Sequence, residues 1–417
     1  MKRAIIFVLT AVLLAAASFV AASGNRFMGL LSTVQSVRQG EPSSQPPPGG
    51  LDFSPVDAAF QAFLDNSPIF DGISYVVVDA DEVLHTATFG DHSEDLVVML
   101  ASTSKVPAVM TMLALAEDPD VAFSVDEPVS TMLPYEGVYT DRTITQMVSN
   151  TSGIPGLAAL EDYGDPLAQT LEGLNHLCTF STSDAVEFEA CGEQLLTNEL
   201  PGSRGAGEVF DYGGSQWQAA GVTASVAANA TWNQLVDQYL GVPCELEVFT
   251  FGNPWQEIFF GGTSFNGTVE SLPGQSNPHI GGGAITNLAD YAKLLQIHLN
   301  GGFCGEQQVL SQEALADMRI DRKSLVAEAP EDDAGEDGYG MGWVVSKDHP
   351  GVFDDPGAFG AISFIDTGRG IGAYVAIDDY TSVDSGAPIN LVRDQIIECI
   401  QSVVDGQPQS CEAFISE

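Results

Sequence analysis

Residues 97–118 read VVMLASTSKVPAVMTMLALAED: an apolar approach, the polar tetrad STSK and an apolar, helix-forming run. The chain has only five lysines, and one of them, Lys105, stands three residues after Ser102 at the mouth of that run. Pro107 suits the first turn of a helix, where a missing N–H is least costly, so the helix is expected to begin near Ser102. Two readings of Ser102 compete. As a cap, its oxygen accepts a free backbone N–H at the helix start. As a nucleophile, it uses Lys105 as activator, because residues at i and i+3 share a helix face. A lysine partly buried in the positive field of a helix start loses its charge more easily, as a base beside a serine requires. The Ser102 N–H would then be free to hold a developing oxyanion. S-x-x-K alone does not separate the two readings.

Outward from the tetrad, DFSPVDAAFQAFLDNS carries apolar residues at helical spacing, and ISYVVVDADEVLHTATFG reads as two strands around a turn at Asp79 to Glu82. The chain then turns helical and loop-rich up to about residue 320. Strand-like runs return in GMGWVVS, GAISFID and GAYVAID, and NLVRDQIIECIQSVV closes as an amphipathic helix. Early strands are thus expected to join late strands in one mainly antiparallel sheet, with terminal helices flanking it and a helical middle region. The class is α+β.

The N-terminus places Lys2 and Arg3 ahead of an apolar run from Ala4 to Val20, then small residues. Residues 1–22 read as a secretory signal cleaved after Ala22, with an uncleaved membrane anchor as the alternative. Residues 23–50 end in EPSSQPPPGG and read as a linker, leaving 51–417 as the folded domain. Six cysteines follow the signal, and short separations favour Cys178 with Cys191 and Cys399 with Cys411, leaving Cys244 for Cys304. No cysteine pair has C-x-x-C spacing, so metal ligation is a poor rival.

The formal charge is -43, from 57 acidic against 14 basic residues, which disfavours nucleic acid and anionic lipid as partners. The acidic run EAPEDDAGEDG at Glu328 to Gly338 lacks EF-hand ligand spacing and reads as a solvated loop. GGG at Gly281 to Gly283 lacks the strand context and lysine of a nucleotide loop and reads as close backbone packing. The sequons at Asn150, Asn229 and Asn266 matter only in a host that glycosylates.

Several segments, in order, decide the reading of STSK: TITQMVSNTSGIPG at Thr143 to Gly156, FDYGGSQWQAAG at Phe210 to Gly221, GGGAITNLADYAKLLQIHLNGG at Gly281 to Gly302, YGMGW at Tyr339 to Trp343, and DPGAFG at Asp355 to Gly360. With them, most of residues 51–405 resembles the beta-lactamase-related serine hydrolases, which include class C beta-lactamases, D-alanyl-D-alanine carboxypeptidases and serine esterases. The resemblance implies a beta-lactamase/transpeptidase-like fold, with Ser102 as nucleophile and Lys105 as base. It also puts Tyr212 in the place of the family's Y-x-N tyrosine, where a phenol can relay protons. Gly214 stands where the family has asparagine, which puts peptide and lactam recognition in doubt. The family's K-x-G or H-x-G falls on Asp355, Pro356 and Gly357. Gly357 is then expected to let substrate approach the strand, and the Ala358 N–H to complete the oxyanion hole with that of Ser102. Asp355 either repels a substrate carboxylate or merely starts a turn before Pro356. Trp343 either lines the acyl pocket or fills the core.

The function implied is a secreted or periplasmic serine hydrolase forming an acyl-enzyme with a small ester, lactone or amide, esterase-like and not an efficient beta-lactamase. No metal or organic cofactor is called for. The alternative is a non-catalytic binding or scaffold protein that keeps the fold with a partly degraded site, supported by the departures at Gly214 and Asp355.

Overall fold

The run GISYVVVD forms β1 (Gly72–Asp79) and turns back into β2 (Val83–Gly90). Asp79 makes the turn, its carboxylate accepting the N–H groups of Asp81 and Glu82, both at 2.8 Å. The structure is a computed structural model describing residues 50–66, 71–156, 177–181, 187–200, 202–255, 265–327, 337–378 and 388–411. The signal, nearly all of the linker and most of the acidic run Glu328–Gly338 lie outside the described residues.

The remaining strands are β3 (Val98–Met99), β4 (Thr250–Phe251), β5 (Ala284–Thr286), β6 (Phe303–Cys304), β7 (Gln307–Gln308), β8 (Gly338–Tyr339), β9 (Val344–Val345), β10 (Val352–Pro356), β11 (Ile362–Asp366) and β12 (Ile371–Ala376). The main sheet runs β2-β1-β12-β11-β10-β9-β8 and is antiparallel at every pairing. The early hairpin thus joins the late strands, Val76 opposite Tyr374, as the sequence leads one to expect. Only the end of GMGWVVS is strand; Gly340 to Gly342 form the approach to it.

The helices that frame the sheet and the site are α1 (Ser54–Asn66), α2 (Lys105–Ala116), α3 (Ile144–Val148), α4 (Phe188–Thr197), α5 (Gly214–Ala228), α6 (Leu288–Leu299) and α7 (Arg393–Val404). Side chains alternate across a strand, and β1 is apolar on both faces because both are covered. Ile73, Tyr75 and Val77 pack with Phe53, Phe60, Ile396 and Ile400 of the terminal segments. Val76 and Val78 face the second core, with Tyr291 and Leu295 of α6. α2 lies inside the helical region and is buried from Lys105 to Leu115. A helix apolar on every side can be placed only there.

A second sheet, order β3-β5-β4, has strands too short for any periodicity to announce. The disulfides are Cys178–Cys191, Cys244–Cys304 and Cys399–Cys411, the pairing that separation favours. Asn150 is 0% exposed, so its sequon is closed in the folded chain, whereas Asn229 and Asn266 are exposed.

Candidate active site

Strand β3 delivers the chain to a single 3₁₀ turn, Ala101–Ser104, that runs into α2. The entry is strained. Ala101 has φ 48°, a left-handed conformation that costs a residue with a Cβ roughly 1–2 kcal/mol. The next two residues but one hold this turn in place. The Thr103 hydroxyl donates to the carbonyls of Asp355 at 2.9 Å and Ala361 at 3.2 Å, and Ser104 Oγ accepts the Ala284 N–H of β5 at 3.0 Å. Neither side chain points at Ser102 Oγ; both fasten the nucleophile turn to the two sheets.

Ser102 is half-buried and its Oγ has two close partners. Lys105 Nζ lies 3.0 Å away, and the Tyr212 hydroxyl donates to it at 2.8 Å. Lys105 is 3% exposed and also donates to the Gly281 carbonyl at 2.6 Å. Its ammonium stands 4.7 Å over the Tyr212 ring and 5.6 Å from that of Trp217. Burial pushes its pKa down to about 8, against the Asp355 carboxyl, which favours the ammonium. A neutral amine is therefore accessible near physiological pH.

Tyr212 sits just before α5, and its loop is clasped by Asn150. That residue adopts φ 57°; its carbonyl accepts the Asp211 N–H at 2.8 Å, and its side-chain oxygen accepts from Gln216 at 3.0 Å and Trp217 at 3.1 Å. The sequence shows Asn150 as a sequon; its role in holding the tyrosine loop carries no local signature.

Strand β10 closes the site. A Cβ on Gly357 would lie 2.2 Å from the Leu100 carbonyl and 2.8 Å from Thr103 Oγ1. The nucleophile turn alone thus requires a glycine here. This close approach brings the half-buried Ala358 to the same turn as Ser102, and neither backbone N–H has a partner among the described residues. Beside Ala358 stands an aromatic wall: Phe359 packs on Trp255 at 5.1 Å, and Phe180 meets Trp255 edge-on at 6.3 Å.

Trp343 and Asp355, each with two readings open from the sequence, are both buried. Trp343 is 0% exposed and packs edge-on against buried His298 at 5.2 Å, so it fills the core. Asp355 is 3% exposed and stands on the α2 side of β10, within the field of Lys105 and near the Val106 N–H. Burial raises its carboxyl well above the usual range, with Asp354 adding to the rise and Lys105 opposing it. Its carboxyl favours the charged form of Lys105. Gly214 is half-buried at the first turn of α5, and the nearest side chain to it is His279, which no motif marks. The GGG run is close packing, as read: a Cβ on Gly283 would lie 2.0 Å from the Gly252 carbonyl.

A protein from Bacteroides dorei DSM 17855, provisionally described as a beta-lactamase, superposes with TM-score 0.65 at 22% identity, covering 85% of this chain and 99% of that one. EstCE1, a hydrolase with promiscuous acyltransferase activity, gives 0.61 at 16%, covering 82% and 97%. A beta-lactamase/D-alanine carboxypeptidase from Yersinia pestis gives 0.57 at 17%, covering 87% and 99%. No curated protein sequence matches. A family profile described as Beta-lactamase matches residues 56–395, from α1 through the sheet to the start of α7. The chain belongs to the Beta-lactamase family and is a serine hydrolase of that fold.

Proposed function

We propose that this protein hydrolyses small uncharged esters and lactones through an acyl-enzyme on Ser102 and turns over penicillins poorly. One observation carries the reading: a single serine Oγ is held between the Lys105 amine at 3.0 Å and the Tyr212 hydroxyl at 2.8 Å. A scaffold with a decayed site has no reason to keep that arrangement.

Attack by Ser102 Oγ on the acyl carbonyl forms the C–O bond while its proton passes to the Lys105–Tyr212 pair. The oxyanion that forms lies toward the N–H groups of Ser102 and Ala358. Collapse expels the alcohol, which takes the proton back, and water then repeats the sequence on the acyl-enzyme. The aromatic wall of Phe180, Trp255 and Phe359 supports an apolar acyl group. The cation that the family uses to hold a substrate carboxylate is replaced by Asp355, whose burial offers no substitute. Loss of one charge-assisted contact of roughly 1.5–3 kcal/mol leaves penicillins disfavoured. Three disulfides support a secreted or periplasmic location, where oxidising conditions allow them.

A panel of short-chain p-nitrophenyl esters, lactones and benzylpenicillin tests this. Esters are expected to exceed benzylpenicillin in kcat/KM by on the order of a hundredfold, and Ser102→Ala is expected to lose about 10⁴-fold or more on every substrate. Efficient benzylpenicillin hydrolysis would reject the substrate class, and ester turnover unchanged in Ser102→Ala would reject the mechanism.

A further inference from the structure

His279 lies in the loop between β4 and β5 and is 5% exposed. Its ring stacks on Phe180 at 5.4 Å and leans on Trp255 at 5.7 Å. Neither ring nitrogen has a partner among the described residues. Its Nε2 lies 3.1 Å from the place where a Cβ on Gly214 would stand, two residues beyond Tyr212. The imidazole therefore fills the space of a side chain at 214.

The same loop carries the carbonyl that holds the base. Gly281, two residues after His279, accepts from Lys105 Nζ at 2.6 Å. The loop is tied down on every side: His279 N–H to the Gly252 carbonyl at 2.8 Å, Gly282 N–H to the His279 carbonyl at 3.2 Å, Ile280 N–H to Gln218 at 3.1 Å, and Trp255 Nε1–H to the Gly282 carbonyl at 3.0 Å. Burial, reinforced by the Lys105 ammonium, pushes the His279 pKa down to about 3. The ring is neutral at any working pH and adds no second positive charge beside the base.

We infer that His279 is a positioning residue for Lys105: it fills the space beside Gly214, keeps water off the amine and seats the Gly281 carbonyl on it. The inference rests on the proposed function only in taking Ser102 as nucleophile and Lys105 as its activator. Lys105 touches Ser102 Oγ, the rings of Tyr212 and Trp217 and the Gly281 carbonyl, and lies within the electrostatic reach of His279 and the Asp355 carboxyl. Asp355 is the one carboxyl among them; burial favours its neutral form and Lys105 favours its charged form. Truncating His279 admits water, relaxes the desolvation that depresses the amine, and returns it toward an ordinary lysine.

The test is the rate at which a fluorophosphonate labels Ser102 in the full chain between about pH 6 and about pH 10, which needs no knowledge of the natural substrate. Wild type is expected to show an acid limb near 8. His279→Ala is expected to raise that limb by about one unit or more, labelling about tenfold more slowly at neutral pH and converging on wild type at the alkaline end. His279→Phe refills the space with an uncharged ring and should bring the limb back to within about half a unit. Gly214→Ala should slow labelling in wild type but not in the His279→Ala background, where its Cβ has room. An unmoved limb in His279→Ala overturns the inference, as does a uniform loss at every pH that phenylalanine does not rescue, or an equal Gly214→Ala effect in both backgrounds. A wild-type chain whose Ser102 takes no label overturns the nucleophile reading first, and this inference with it.

Discussion

At Lys105 two physical effects oppose each other, and burial wins. Desolvation lowers the amine to about 8, while Asp355 works in the opposite direction. If the neutral amine accepts the serine proton, kcat/KM for a neutral ester should rise with pH through about 8. Asp355→Asn removes the one carboxyl that favours the ammonium, so the limb should move to lower pH and the variant should gain relative activity on the acid side. A pH profile with a thermal melt as folding control checks this. A limb displaced upward would show that Asp355 holds the amine in place and does not act through its charge. The DPG motif places this aspartate and leaves open whether it faces substrate or starts a turn. Position was legible; the direction and depth of its side chain were not, because they depend on how closely β10 packs on the nucleophile turn.

The elements show the same division. Strand β1 is legible as a short apolar run and helix α1 by its periodic apolar face; two disulfides are legible because short loops close easily, and the third by elimination. The β3-β5-β4 sheet is not, since strands of two or three residues carry no period. His279 is missed for a related reason: a lone histidine before GGG has no motif, and its meaning comes from Gly214, 65 positions earlier in a different element. The disulfides also make a graded prediction. Cys244–Cys304 spans 60 residues, whereas Cys178–Cys191 and Cys399–Cys411 span 13 and 12. If the bridges act on the unfolded chain, removing the long one as a double serine variant should cost about 4 kcal/mol, and either short one about 3 kcal/mol. Denaturant melts of the three variants would show the order, and a short bridge costing more than the long one would contradict the entropic account.

Over the whole molecule, one sheet is closed by segments from both ends of the chain, and everything chemical lies at its junction with the helical region. The turn before α2, the loop before α5, the Gly281 loop and the end of β10 converge on one Oγ although they are far apart in sequence. That convergence is why order and spacing of modest segments were informative when each alone was not. The surface is strongly acidic, and 14 cations cannot pair 57 anions. Ion pairs among the described residues include Arg393 with Asp354 at 3.1 Å, and the remaining repulsion is open to screening by salt. Among the described acidic residues, Asp355 is the one that acts on Lys105. The central claim is therefore confined to one atom, Ser102 Oγ, and is tested most directly by peptide mass mapping of folded protein after fluorophosphonate treatment. The account predicts a single adduct on the peptide containing Ser102, with ester hydrolysis lost in step. Ester hydrolysis that persists with Ser102 unmodified, or an adduct on another residue that abolishes it, would contradict the account.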